Sequence, residues 1–219
     1  MFVKICGTTT EEDALLAVAM GADAVGFIFA PSPRQVQATK VRDIVTRLPR
    51  EILTVGVFRD AAPEQVLDIY QQCRLTGVQL HGHETAEESR WLADRVDFLI
   101  RALPAGSPEL ARIDEYGANA VHIDSETPGS GQVFDWSLAE GAPSHRKVIL
   151  AGGLNAGNVA DAIARVQPWG VDAVTGVESA PGRKDATKLR AFINAARAAA
   201  PAGYEGTASG PYDWQEDGI

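Results

Sequence analysis

Cys6 closes an apolar run that begins at Phe2, and Asp124 follows another that begins at Ala120. A thiol and a carboxyl at the ends of buried segments are residue types that take and give protons once their surroundings tune them. Each also has a plain structural reading. A lone cysteine in a strand is ordinarily a small buried hydrophobe, and an aspartate at a strand end commonly caps the next loop. Lys4 lies two positions before Cys6. Strand period puts both on one face, where an ammonium favours the thiolate. Its plain reading is a cation in a deeper layer without catalytic duty. His122 shares the face of Asp124 by the same period and reads as a hydrogen-bonded partner in the interior rather than as a catalyst.

Other clusters suit an anion. Arg34 lies in a loop stiffened by Pro31 and Pro33. Its guanidinium suits two-point recognition of a carboxylate or phosphate; a solvated surface arginine is the alternative. Gly152-Gly153 and Gly176 each follow an apolar run, the second leading into Val177-Glu178-Ser179. Glycines there let backbone N–H groups approach an anion, and a short following helix adds its positive end. Tight turns alone would explain one such loop, but two together favour a phosphate pocket. His81-Gly82-His83 has the i, i+2 spacing of a metal pair. A metal site needs more ligands, and His145 falls in a loop on the opposite side. His122 is the one histidine left, so no metal is expected.

The elements that must position these residues alternate along the chain. Strands are predicted at Phe2–Cys6, Ala24–Phe29, Ile52–Phe58, Gly77–Leu80, Phe98–Ala102, Ala120–Ile123, Val148–Ala151 and Val171–Thr175. Helices are predicted at Glu11–Met20, Val36–Leu48, Pro63–Cys73, Thr85–Asp94, Asn155–Val166 and Lys184–Ala200, with a short one at Asp135–Glu140. Pro104–Gly117 is too broken by proline and glycine to assign. The strands are continuous apolar runs, as in a parallel sheet covered on both faces. Eight such units predict a closed (β/α)8 barrel, whose functional residues collect at the C-terminal strand ends. An open doubly wound sheet competes, but no GxGxxG opens a helix after a strand.

Composition narrows the function classes. The 219 residues carry a net charge of −9, with 45% hydrophobic and 22% charged residues, which excludes global disorder. An acidic chain is a poor partner for nucleic acid or an anionic membrane. No apolar run reaches the ~18 residues of a membrane helix, and no secretory leader is visible. Two cysteines without a CxxC fit a reducing cytoplasm. One barrel domain over residues 1–200 is expected, with an extension at 201–219. That extension is either flexible or docked through Tyr204, Tyr212 and Trp214.

The ordered motifs resemble the phosphoribosylanthranilate isomerase family, a TIM-barrel family of tryptophan biosynthesis. They are Val3-Lys4-Ile5-Cys6-Gly7-Thr8, Gly21–Phe29, Ser32-Pro33-Arg34-Gln35-Val36, Val55–Phe58, Val78–Gly82, Gly129–Trp136, Leu150–Asn155 and Gly176–Asp185. The resemblance covers residues 1 to about 198, and the set is specific where any one motif is weak. It implies an Amadori rearrangement of N-(5-phosphoribosyl)anthranilate to 1-(2-carboxyphenylamino)-1-deoxyribulose 5-phosphate. Asp124 is then the general acid at the ring oxygen and Cys6 the general base at C2′. Arg34 holds the anthranilate carboxylate, Gln79 and Asp172 lie near the substrate, and Gly152, Gly153, Gly176 and Ser179 bind the phosphate. No cofactor and no metal are implied. The partner is a small phosphorylated substrate, and the chain is a monomer or homodimer. Pro128 before Gly129, and Val174-Thr175 where the family usually has two serines, depart from the pattern. A related barrel acting on another phosphorylated sugar amine remains the alternative, as does a binding protein that keeps the pocket without catalysis. Loss of Cys6 or Asp124 would mark the latter, and both are present.

Overall fold

The computed structural model describes residues 1–125, 136–139 and 146–201. Eight parallel strands close a barrel in sequence order: β1 (Phe2–Ile5), β2 (Ala24–Ile28), β3 (Leu53–Phe58), β4 (Gly77–Leu80), β5 (Leu99–Pro104), β6 (Ala120–Asp124), β7 (Lys147–Leu150) and β8 (Gly170–Ala173). Closure is direct, because β1 pairs with β2 on one side and with β8 on the other, Lys4 aligning with both Ala24 and Asp172. Outside lie α1 (Glu11–Ala19), α2 (Ala38–Val45), α3 (Pro63–Cys73), α4 (Ala86–Ala93), α5 (Val159–Val166) and α6 (Ala186–Ala198). Short 3-10 helices occupy Pro108–Tyr116, Trp136–Ala139 and Thr175–Val177, and a small antiparallel hairpin joins β9 (Glu178–Ala180) to β10 (Arg183–Lys184).

Local chemistry starts several helices where the sequence places them. The Thr10 hydroxyl accepts from the Asp13 N–H and caps α1. Thr85 and Glu88 form a reciprocal capping box at α4. Pro63 opens α3, where its missing N–H has no helical partner to lose.

Strand period separates two cores. Phe2, Ala24, Leu53, Val55, Phe98, Ile100, Ala120 and Ile149 fill the barrel interior, where Phe2 stacks on Trp169 with ring centres 4.5 Å apart. The alternate positions, such as Val3, Ile5, Val25, Val78 and Val121, pack beneath the helices. Above the interior apolar layers stand Lys4, Gln79, His122 and Asp172, all buried.

Several boundaries differ from the sequence-based expectation for local reasons. The Val36 N–H donates to the Ile28 carbonyl, so residues 35–36 extend the sheet edge before α2 begins at Ala38. Asn155 accepts backbone N–H groups from Asn158 and Val159, forming a turn ahead of α5. Lys184 belongs to β10; Asp185, whose carboxylate accepts from the Thr187 and Lys188 N–H groups, is the cap of α6. The unassigned segment after β5 becomes the 3-10 helix Pro108–Tyr116. The family-like loop 126–135, including Pro128, the residues around His145 and the chain beyond Pro201 lie outside the described residues.

Candidate active site

A pocket with about 950 Å³ of empty space, partly open to solvent, lies at the C-terminal strand ends. Cys6, Arg34, Gln79, Asp124, Gly152, Gly153 and Asp172 all line it. These seven sequence-selected residues come from six different strands or their following loops, so only barrel closure brings them together.

On one wall, Cys6 is 4% exposed. It faces Gly26 of β2, where a Cβ would stand 2.6 Å from the Cys6 sulfur; glycine makes the room the thiol occupies. The Lys4 ammonium acts electrostatically on the Cys6 side chain. Lys184 Nζ donates to the Cys6 carbonyl at 2.5 Å. Burial pushes the thiol up, while the Lys4 and Lys184 charges pull it down and are outweighed. Lys4 thus favours the thiolate in the direction that strand period suggests, but desolvation of the buried sulfur dominates. Lys4 is fully buried and ion-paired with Asp172 Oδ2 at 3.0 Å. The same oxygen lies 2.8 Å from His122 Nε2. Burial raises the Asp172 carboxyl, but Lys4 and His122 hold it down at about 2. Asp172 is therefore tied first to the protein's own cation and imidazole, while still lining the pocket.

Asp124 is on another wall. Its Oδ1 accepts the Ser125 N–H at 2.7 Å, and its Oδ2 lies 3.5 Å from His81 Nε2. Burial pushes its carboxyl up, yet His81, His122 and the Ser125 N–H together bring it below the usual carboxylate range. His81 is missing from the sequence-selected set except as half of a metal pair, and it touches Asp124. It is oriented by Gln79, whose Nε2 lies 3.0 Å from His81 Nδ1. The loop carrying it is held by Glu84, which accepts from the Gly82 and Asp60 N–H groups and from Arg101 Nη1 at 2.7 Å. His83 points elsewhere: it is exposed and contacts Asp60 Oδ1 at 3.1 Å.

The anion side differs more from expectation. Arg34 is only 7% exposed, and its Nε and Nη2 grip both oxygens of Glu178 at 2.7–3.1 Å. Glu178 also takes Lys184 Nζ at 3.2 Å. Sequence reasoning missed this carboxylate; its position directly after the β8 glycine loop is the signal that marks it. Gly152 and Gly153 have φ of +84° and +67°, conformations that favour glycine, and both line the pocket. Gly176 acts by close packing, since a Cβ there would lie 2.0 Å from the Leu154 carbonyl oxygen. Ser179 does not reach the pocket wall. It is exposed in the β9–β10 hairpin, with its hydroxyl 3.4 Å from the Arg183 carbonyl, because the chain turns outward after Glu178. The helix expected there is one 3-10 turn, Thr175–Val177, too short to carry a substantial dipole.

One ring nitrogen each from His81 and His122 and one Asp124 oxygen lie within 4.8 Å of one another, a grouping that can hold a metal ion. The sequence-based pair His81-His83 is not that grouping; Asp124 supplies the third atom instead.

Comparison with known proteins places this geometry. Residues 3–195 match the model of the N-(5′-phosphoribosyl)anthranilate (PRA) isomerase family. The chain belongs to the PRA isomerase family. A relative named N-(5′-phosphoribosyl)anthranilate isomerase from Desulforudis audaxviator is 48% identical over 204 residues, covering 90% of this chain and 98% of its own. One from Thermotoga maritima is 42% identical over 201 residues, covering 89% and 98%. The crystal structure of the Thermus thermophilus protein superposes with a TM-score of 0.84 at 40% identity, covering 90% of this chain and 99% of that one. A phosphoribosylanthranilate isomerase solved with reduced 1-(o-carboxyphenylamino)-1-deoxyribulose 5-phosphate superposes at 0.79, with 40% identity and the same coverage. The protein is thus a single-domain barrel isomerase of tryptophan biosynthesis, as the sequence motifs indicated. No helix among the described residues is long and apolar enough to cross a membrane.

Proposed function

We propose that this PRA isomerase rearranges its aminoaldose phosphate with Asp124 as general acid and Cys6 as general base. Asp124 delivers a proton to the furanose ring oxygen, the C1′–O bond breaks, and an iminium forms. Cys6 takes the proton from C2′, and the resulting enolamine tautomerises to the ketone. No electron leaves or enters the substrate, so two proton-transfer groups suffice and no cofactor is required. Arg34, fixed by Glu178, receives the anthranilate carboxylate. The backbone of the Gly152-Gly153 loop receives the phosphate, with Gly176 setting how closely the β8 loop packs on it. Gln79 and Asp172 orient His81 and His122 around the substrate. We assign the protein to the cytoplasm, as a monomer or homodimer.

The carrying observation is that Cys6 and Asp124 line one pocket with an arginine and a positive-φ glycine pair. A −9 protein must bind an anion through such local donors. Further support comes from the relative solved with a carboxylate- and phosphate-bearing product analogue.

The test follows the fluorescence decay of phosphoribosylanthranilate with wild type, Cys6→Ser and Asp124→Asn. Each substitution is expected to lower turnover by about 10²–10⁴-fold, the usual weight of a general acid or base, with an unchanged far-ultraviolet spectrum. Full activity in either variant overturns the assignment of that residue.

A further inference from the structure

His81, His122 and Asp124 each bring one ligand atom within 4.8 Å of the other two. The His81 Nε2–Asp124 Oδ2 separation of 3.5 Å is long for a hydrogen bond. It is close to the ~3.4 Å edge between two ligands of a tetrahedral zinc held at about 2.0–2.1 Å. The third side chain meets the other requirement. His122 is 1% exposed, its Nε2 is committed to Asp172, and its Nδ1 has no partner among the described residues. An imidazole whose far nitrogen is tied to a carboxylate leaves a bare, oriented lone pair, the usual arrangement of a metal-binding histidine. His81 has a matching outer partner in Gln79, at 3.0 Å from Nδ1. Turning that amide by half a rotation puts its oxygen against an Nδ1–H and leaves Nε2 free to coordinate. Two imidazoles and one carboxylate, with one ligand position left open, suit a zinc-class ion rather than magnesium or calcium.

We propose that His81, His122 and Asp124 form an inhibitory binding site for a zinc-class divalent cation. Binding itself is independent of the assigned chemistry. The inhibition rests on the reading of Asp124 as general acid, because a coordinated carboxylate can neither carry nor deliver the proton.

The experiment titrates Zn²⁺, and Co²⁺ as its coloured substitute, into the chelator-stripped protein without substrate. Calorimetry and the visible spectrum are the readouts. One equivalent is expected to bind, with intense tetrahedral Co²⁺ bands and no sulfur-to-cobalt charge-transfer band. His81→Asn should weaken binding by at least about 10–100-fold while the protein stays folded. No stoichiometric binding, binding insensitive to His81→Asn, or a sulfur charge-transfer band placing the ion on Cys6 each overturns the site. Turnover is then assayed with and without Zn²⁺. An inactive metal-free wild type strikes at the isomerase reading and leaves the spectroscopic result standing. Undiminished turnover in the Zn²⁺-loaded protein overturns the inhibitory role.

Discussion

Cys6 and Asp124 rest in protonation states opposite to those the reaction needs. Burial holds the thiol protonated, while His81, His122 and the Ser125 N–H hold the carboxyl ionised. The active form has the proton on Asp124 and none on Cys6. Between the two pKa values the pair shares one proton, and its partition between the two sites does not change with pH. The expected kcat/KM is therefore flat across the neutral range. It falls in acid, where both groups hold protons and the base is lost. It falls in alkali, where both are bare and the acid is lost. Initial rates across a series of constant-ionic-strength buffers check this; a narrow maximum near neutrality would contradict it. Both residues were legible as chemistry-bearing because each stands at the end of an apolar run. Their protonation was not, because the groups that set it arrive from β1, β8, β10 and the residue following β4 as well as from β6 itself.

At the scale of elements, the β9–β10 hairpin has a specific duty. It brings Glu178 and Lys184, six positions apart, against each other and against Arg34. Glu178→Gln keeps the shape and removes the charge that fixes the guanidinium. Charge-assisted hydrogen bonds of this kind contribute about 1.5–3 kcal/mol. KM should rise about tenfold or more on that scale, with kcat changed far less. Steady-state kinetics separate the two; an equal fall in kcat and kcat/KM would instead place Glu178 in the chemical step. The hairpin was invisible in the sequence because Lys184 continues the polar-apolar rhythm of α6. Its two short strands have no apolar pattern of their own. The eight barrel strands were legible for the opposite reason, since long apolar runs punctuated by glycine and proline survive any error of a residue or two at their ends.

The whole molecule is cross-braced inside the barrel by Lys4 of β1, Asp172 of β8 and His122 of β6. Leaving one member of a buried pair without its partner costs about 3–5 kcal/mol. Lys4→Met should lower stability by that amount, read as a shift of the urea midpoint at neutral pH. Asp172 gives the brace its pH dependence. Its folded value of about 2 lies below the ordinary 3.8, so it stabilises the fold above the ordinary value. That contribution disappears as pH falls from 3.8 toward 2. Urea midpoints measured through this window should drop in the wild type and drop less in Lys4→Met, where the principal cation is gone.

By itself the sequence determined the barrel, the family, and the thiol, carboxyl and glycine loops at the strand ends. Apolar periodicity and motif order are properties of the chain and need no partner. Only the tertiary structure decided that Arg34 is gripped by Glu178, that Ser179 lies outside the pocket, and that His81 rather than His83 meets Asp124. It also decided where the protons rest. These outcomes depend on burial and on charges from residues up to 178 positions apart, as in the Lys184–Cys6 pair. Such distances become contacts only when β1 closes on β8.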